Sequence, residues 1–380
     1  MKLLILTHNF PPRRSVSRNA GTFVFSFALA LSKLGHQVYV LMPDTGEEPK
    51  ENYPEFKVSW FNWRGRGKEL RRLRWYSPGD ILNLFSLIKN GVGSAIKLVE
   101  AEGIEYCQAL WIIPGGYFAY KVKKRFGIPY SVWVLGADIW TYGRHFLLRN
   151  IIMRKIMREA RIVFSNSRYL RQEVKDIFKR EAKILYALRY LPQDASPAII
   201  DNKRSNFLFI GRYDKVKGLD ILLKALRLLL KEGRDIYLYA FGGGILENYY
   251  RELIQELGLK ERVSLGGYAS PETVVSFMKV CSCLIIPSRN ESQPVLLMDA
   301  IQARIPVIVS RVGDMGEIVN RLQIGTAVAS EDIIGLKEAL ANFIDRGRAY
   351  YQLNLEKASQ AINVSSLAKE YIEAISIDKK

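Results

Sequence analysis

Short apolar runs alternate with helix-patterned stretches along this chain, and the series runs twice. In the first half Lys2–Thr7, Gln37–Met42, Phe56–Phe61, Tyr106–Trp111, Tyr130–Leu135 and Ile162–Ser165 have the length and apolar content of strands. Thr22–Lys33, Ile81–Glu100, Gly116–Arg125 and a stretch from about Arg144 to Glu159 repeat apolar residues at helical spacing between them. The second half gives strands at Phe207–Ile210, Ile236–Phe241, Val263–Leu265, Cys283–Ile286 and Val307–Ser310. Its helices are expected at Leu219–Lys231, Asn248–Leu257, Pro271–Lys279 and Val295–Ala303. Parallel neighbours need a long crossover, so this alternation predicts α/β architecture with parallel sheets covered on both faces. The polar stretch 191–206, with two prolines, divides the series. Two doubly wound domains are therefore expected, 1–190 and 207–364, joined by a linker over 191–206. A helix at about 365–380 would pack back on the first. Tandem domains of this kind face each other across a cleft, with ligands at the carboxyl ends of the strands.

Charge separates the halves. Lys and Arg number 56 against 38 Asp and Glu, a net charge of +18. Residues 1–200 carry +16 of it and residues 201–380 only +2. Such an excess points to anionic partners and says nothing about fold. No apolar run is long enough to span a membrane, and Leu3–Leu6 is too short for a signal-peptide core. Cys107, Cys281 and Cys283 form no disulfide framework, and the three histidines are scattered. A cytoplasmic protein is expected, with no metal site.

Two stretches of the second half combine into a site. Phe207–Ile210 runs into Gly211-Arg212, and Lys217-Gly218 follows where a helix begins. A helix N-terminus offers free N–H groups to an anion, Arg212 can fork two phosphate oxygens, and Lys217 adds a point charge. Two solvated surface cations are the plainer alternative. Farther on, Pro287-Ser288-Arg289-Asn290-Glu291 leads into a helix bearing Asp299, eight positions after Glu291. Two acids so placed can accept hydrogen bonds from sugar hydroxyls at different points of one extended ligand.

These stretches resemble the family 4 retaining nucleotide-sugar glycosyltransferases, which have the GT-B fold of two Rossmann-like domains. Phe209-Ile210-Gly211-Arg212 through Lys217-Gly218 to Leu226 is similar to the family's F-V-G-R-x(4)-K-G block. Pro287-Ser288, Glu291 and Asp299-Ala300 resemble its P-S-x(2)-E-x(7)-E-A block, and Val312–Val319 its V-G-G-x-x-E-I-V block. Phe10-Pro11-Pro12 with Ala20-Gly21, and Leu34-Gly35-His36-Gln37-Val38, resemble its N-terminal loop and turn. Ordered matches across most of the chain are far more specific than any single motif.

The resemblance implies a hexosyltransferase that moves a hexose from a UDP- or GDP-sugar to an acceptor hydroxyl, with retention. No separate cofactor is implied. Arg212 and Lys217 would hold the diphosphate beside Gly211. Glu291 would contact the transferred sugar, with the backbone of Ser292, Gln293, Pro294 and Val295. Asp299 would hold the ribose. Gly21 would let backbone approach the phosphate, and Leu135 and Asp138 would lie on the acceptor side. Four positions depart from the pattern: Leu135 replaces a histidine, Asp299 a glutamate, and Arg304 and Asp314 each a glycine. No Asp-x-Asp occurs, so no donor-bound metal is required.

The basic half suggests where the acceptor is met. Residues 60–76 mix Arg64, Arg66, Lys68, Arg71, Arg72 and Arg74 with Trp60, Phe61, Trp63, Trp75 and Tyr76. Arginine among aromatics suits an apolar–anionic boundary, so peripheral contact with the inner face of a membrane and a lipid-linked or cell-surface glycan acceptor are expected. The stretch 144–161 is read instead as an amphipathic helix packed on the sheet. A glycogen synthase-like glucan polymerase and a sugar-nucleotide epimerase share the architecture. A nucleic-acid-binding role has only the net charge in its favour, since no stacking platform or recognisable module accompanies it, and no nucleic acid partner is expected.

Overall fold

The computed structural model describes residues 1–11, 21–46, 53–68, 70, 73, 77–140, 148–291 and 295–376. The chain divides into two compact units, Met1–Arg189 with Val364–Lys380, and Tyr190–Asn363. Both are α/β and Rossmann-like.

The first unit runs β1 (Lys2–Leu6), α1 (Thr22–Lys33), β2 (Gln37–Pro43), β3 (Lys57–Phe61), α2 (Pro78–Glu102), β4 (Tyr106–Leu110), α3 (Tyr117–Phe126), β5 (Tyr130–Val134), α4 (Ala137–Trp140), α5 (Arg154–Glu159), β6 (Ile162–Ser165), α6 (Arg168–Phe178) and β7 (Lys183–Ile184). Its sheet has the order β3-β2-β1-β4-β5-β6-β7, with every pairing parallel. Leu3–Leu6 and Tyr130–Val134 are wholly buried because helices cover both faces, which is why these strands read as unbroken apolar runs. Strand order reverses between β1 and β4, so the segments leaving those two strands flank a switch point. The helix expected from about Arg144 differs: 144–147 lie outside the described residues, 148–153 form a wider turn, and only Arg154–Glu159 is α-helical. Ile156 and Met157 are buried there, while Ile151 and Ile152 are exposed.

The second unit runs β8 (Ser205–Ile210), α7 (Leu219–Lys231), β9 (Ile236–Phe241), α8 (Glu247–Glu256), β10 (Val263–Leu265), α9 (Pro271–Val280), β11 (Cys283–Ile286), α10 (Val295–Gln302), β12 (Val307–Ser310), α11 (Met315–Leu322), β13 (Gly325–Val328), α12 (Ile333–Arg346) and α13 (Gln352–Ala361). The sheet order is β10-β9-β8-β11-β12-β13, again all parallel. Its switch point lies between β8 and β11, where Leu208 pairs with Leu284 and Phe209 with Ile285. The loops after Ile210 and Ile286 therefore leave one edge of the sheet side by side.

The stretch expected to be a linker, 191–206, packs on the second unit. Lys279 Nζ donates to the carbonyls of Gln193 (3.3 Å) and Ala195 (2.6 Å), Ala198 N–H to Ser276 O (3.2 Å), and β8 has begun by Ser205. The last helix, α14 (Val364–Ser376), belongs to the first unit: buried Tyr371 lies 5.0 Å from the Phe27 ring and 5.5 Å from that of Phe164. No described helix is long and apolar enough to cross a membrane.

Candidate active site

The site is built at the second unit's switch point. Beyond β8, Gly211 N–H donates to Phe241 O (3.0 Å) and Tyr213 N–H to Gly243 O (2.9 Å). Tyr213 is fully buried, and its hydroxyl donates to Ala240 O (2.8 Å), which pins residues 211–214 to the end of β9. Asp214 then caps the turn, its Oδ1 accepting from Lys217 N–H (3.2 Å), and its Oδ2 pairs with Arg212 Nη2 at 3.0 Å. Arg212 keeps half its side chain in solvent, 53% exposed. Gly218 has φ +71°, and a Cβ there would strike the Pro287 carbonyl. That glycine is thus required by the close approach of the second loop.

The second loop leaves β11 at Pro287. Ser288 is buried, with its hydroxyl 3.4 Å from Glu291 Oε1, and Arg289 N–H donates to Val216 O (2.7 Å). The loop brings Glu291 Oε1 to Lys217 Nζ as an ion pair. Arg289 reaches the other way. Its Nη1 and Nη2 fork the Asp220 carboxylate at 2.9 and 2.8 Å, Nη1 also donates to Lys215 O (2.5 Å), and Nε donates to Glu331 Oε1 (2.8 Å). Burial pushes the Asp220 carboxyl up, but the hydrogen bonds and charge of Arg289 outweigh it and hold the group below its usual range.

Arg212, Lys217, Gly211 and Glu291 thus gather around one pair of loops. Ser292, Gln293 and Pro294 lie outside the described residues. Val295 opens α10, half-buried, and Asp299 is wholly buried on the same helix. Sequence reasoning passed over Arg289, Asp220 and Tyr213, which occupy variable positions of the motifs. Only their partners, scattered through the chain, mark them out.

On the first unit, Gly21 and Asp138 are each held by contacts within the strand-exit loops. Gly21 has φ +83°, and a Cβ on it would lie 2.7 Å from Phe10 Cα and 2.8 Å from the Asn9 carbonyl carbon and oxygen. Its need for hydrogen in place of a side chain comes from its own loop. Asp138 is wholly buried. Its carboxylate accepts N–H bonds from Ile112 (3.1 Å), Gly136 (3.0 Å) and Leu135 (3.4 Å), which ties the exits of β4 and β5 together. Burial pushes its pKa up to about 6, against the opposing pull of those N–H groups. Leu135 is half-buried beside it. The His8 ring, leaving β1, lies 4.2 Å from that of Trp111 and tilted to it by 47°; Trp111 leaves β4 with φ +64°. The imidazole Nδ1 is buried without a hydrogen-bond partner among the described residues, and burial lowers the histidine pKa to about 4.

Arg304 sits at φ +54°, a conformation glycine adopts freely, and its side chain reaches Ser359 Oγ (3.2 Å). Asp314 is buried at the start of α11. Among the described residues no group of three or more His, Cys, Asp and Glu side chains is arranged to hold a metal ion.

Comparison with known proteins covers both units. The family model described as Glycosyltransferase Family 4 matches residues 20–186, and that described as Glycosyl transferases group 1 matches residues 193–361. An uncharacterized glycosyltransferase of Methanocaldococcus jannaschii is 26% identical over 272 residues, 70% of each chain. The sucrose-phosphate synthase of Thermosynechococcus elongatus has a TM-score of 0.79 at 16% identity, with 98% of each chain covered. Anabaena HepE, solved in complex with UDP and glucose, has a TM-score of 0.69 at 16% identity, with 99% of each chain covered. At such identities the structural likeness is one of fold.

Proposed function

Because the chain belongs to the family 4 glycosyltransferases and is a glycosyltransferase enzyme, we propose that it transfers a hexose from a UDP- or GDP-sugar to an acceptor hydroxyl with retention of configuration. The observation that carries this reading is the meeting of Lys217 and Glu291 at the β8/β11 switch point, with Arg212 exposed beside them. A cation pair and a carboxylate on adjacent loops suit a ligand that is anionic at one end and rich in hydroxyls at the other.

In this reading Arg212 and Lys217 receive the diphosphate, and Glu291 turns from Lys217 to the sugar hydroxyls. Gly211 lines the phosphate side. Ser292, Gln293 and Val295 contribute backbone N–H groups, which Pro294 lacks, and Asp299 holds the ribose. The bond from the anomeric carbon to the diphosphate oxygen breaks, and a bond to the acceptor oxygen forms on the same face. The leaving phosphate takes the acceptor proton. Charge grows on the leaving diphosphate, where Arg212 and Lys217 stabilise it, and each such group contributes about 10²–10³ in rate. No metal is assigned a step. Leu135 offers its backbone on the acceptor side, and Asp138 holds that loop in place.

The proposed acceptor is lipid-linked or a cell-surface glycan, met at the inner face of an anionic membrane. Arg64, Arg66 and Lys68 point to solvent, while Phe61 and Trp63 are buried, with Trp63 Nε1 donating to Asp44 O (2.9 Å). These two aromatics are therefore core residues and not part of a lipid contact. The apolar component comes from α2, where Ile81, Leu82 and Phe85 are exposed beside the cations, since Arg64 N–H donates to Ser86 Oγ (3.1 Å). Residues 69, 71, 72 and 74–76 lie outside the described residues.

A panel of UDP- and GDP-sugars tests the donor reading. A ligand at about 100 times its Kd raises stability by about 2.7 kcal/mol, and one base should do so while the other does not. The same donor should release its diphosphate with a glycan acceptor present, and Lys217→Ala should abolish both effects. Conversion of the sugar in the donor alone would instead identify an epimerase, and failure of every donor to bind would end the proposal.

A further inference from the structure

We infer that Arg289 is a positioning residue that clamps the loop carrying Lys217 to the loop carrying Glu291, so that the two groups keep a fixed separation. The clamp rests on the donor reading only for its consequence in catalysis; the bonds themselves join the loops whatever the ligand.

Arg289 lies two residues before Glu291, yet most of its bonds go to the other loop. Its backbone N–H reaches Val216 O, its Nη1 reaches Lys215 O, and its fork holds Asp220 in the first turn of α7. Lys217 is bracketed by these contacts, with Lys215 and Val216 before it and Asp220 after it. The Arg289 and Asp220 side chains are 21% and 11% exposed, so this is a partly buried bidentate pair and not a loose surface bridge. Glu331 is 64% exposed and adds an outer bond of lesser weight. Gly218 against the Pro287 carbonyl closes the same gap from the other side. The clamp therefore has a planar element that only guanidinium supplies, because an ammonium cannot fork a carboxylate and reach a carbonyl in one plane. Arg289 spends its donors on protein acceptors, so it acts through Lys217 and Glu291. A displacement of about 1 Å between groups that stabilise one transition state can cost 10²-fold in rate.

The test compares the full chain with Arg289→Met, Arg289→Lys and Asp220→Asn. Hydrogen exchange should show amide protection lost together in segments 212–218 and 287–291, while β8 and β11 keep theirs. With the donor found above, kcat per folded molecule should fall about 10- to 100-fold, with donor KM changing by less than about threefold. Arg289→Lys should not rescue, and Asp220→Asn, which keeps shape and removes charge, should fall between; it carries the test if Arg289→Met does not fold. A merely structural arginine would lower Tm and leave kcat per folded molecule unchanged, which overturns the inference, as does loss of protection confined to 287–291. If wild type transfers no sugar but the variants lose protection in both segments, the clamp stands and the donor reading falls.

Discussion

Lys217 and Glu291, 74 residues apart in sequence, meet as an ion pair with only 23% and 15% of their side chains exposed. They meet because β8 and β11 are adjacent parallel strands whose exits lie side by side. The carboxylate occupies the ammonium that the proposed diphosphate needs. Glu291→Gln should therefore bind free UDP or GDP several-fold more tightly than wild type, while transfer falls by about 10². Lys217→Met should lose both. Calorimetry with the free diphosphates beside initial rates reads the two effects, and weaker diphosphate binding by Glu291→Gln would show that the pair does not compete with phosphate.

Gly218→Ala should be costly. Its φ of +71° strains any L side chain, and the new Cβ meets the Pro287 carbonyl. A loss of about 1–3 kcal/mol is expected, together with weakened donor binding, because the two site loops are pushed apart. Gly93→Ala in α2, with nothing within 4 Å of the added carbon, serves as the control and should gain about 0.5–1 kcal/mol. Chemical denaturation of both variants checks the contrast.

His8 and Asp138 should impose opposite pH dependences in one window. The His8 pKa is lowered from 6.5 to about 4, so its native state binds fewer protons and its contribution is lost as pH falls from 6.5 toward 4. The Asp138 pKa is raised from 3.8 to about 6, so its contribution is full below 3.8 and is lost as pH rises through 6. Each effect is on the order of 1–3 kcal/mol, and they offset in wild type. Relative to wild type, His8→Phe should gain stability on acidification from pH 6.5 to 4, and Asp138→Asn should lose it. Urea denaturation across that range measures both, and parallel curves for all three proteins would contradict the assignment.

The architecture was legible because a strand buried on both faces leaves a continuous apolar run, and the cation and acid blocks lie where such strands end. What escaped sequence reasoning depends on partners remote in the chain. Arg289 is a variable position of its motif until Asp220 and Lys215 are seen against it. The polar run 191–206 has linker composition, yet two carbonyls in it are held by Lys279. Trp63 among arginines reads as surface, but its indole is buried on Asp44 O because Arg64 and Arg66 alternate outward from it. Arg304 was anomalous by pattern alone, and its positive φ shows why glycine is the usual residue.

Arg64 and Lys68 lie beside exposed Ile81, Leu82 and Phe85, at 48%, 47% and 65% exposure, through Arg64 N–H on Ser86 Oγ and Lys68 on Asp80, while Arg66 pairs with Asp44 at 3.3 Å; in the lipid-contact reading this patch would offer a cationic surface to anionic headgroups and an apolar wedge. Lys68 pairs with Asp80 at 3.2 Å, but an exposed pair of that kind is weak and yields to a dense anionic surface. Wild type should float with phosphatidylglycerol-containing vesicles at low salt, and binding should fall as salt screens the patch. Each cation contributes about 1 kcal/mol, so Arg64→Glu with Lys68→Glu should weaken binding by at least about 30-fold. Phe85→Asp should weaken it without removing its salt dependence. Activity on a soluble acceptor should be unchanged in both variants, because none of these residues belongs to the donor site. Flotation of wild type with neutral vesicles alone, or with none, would remove the patch from any membrane role.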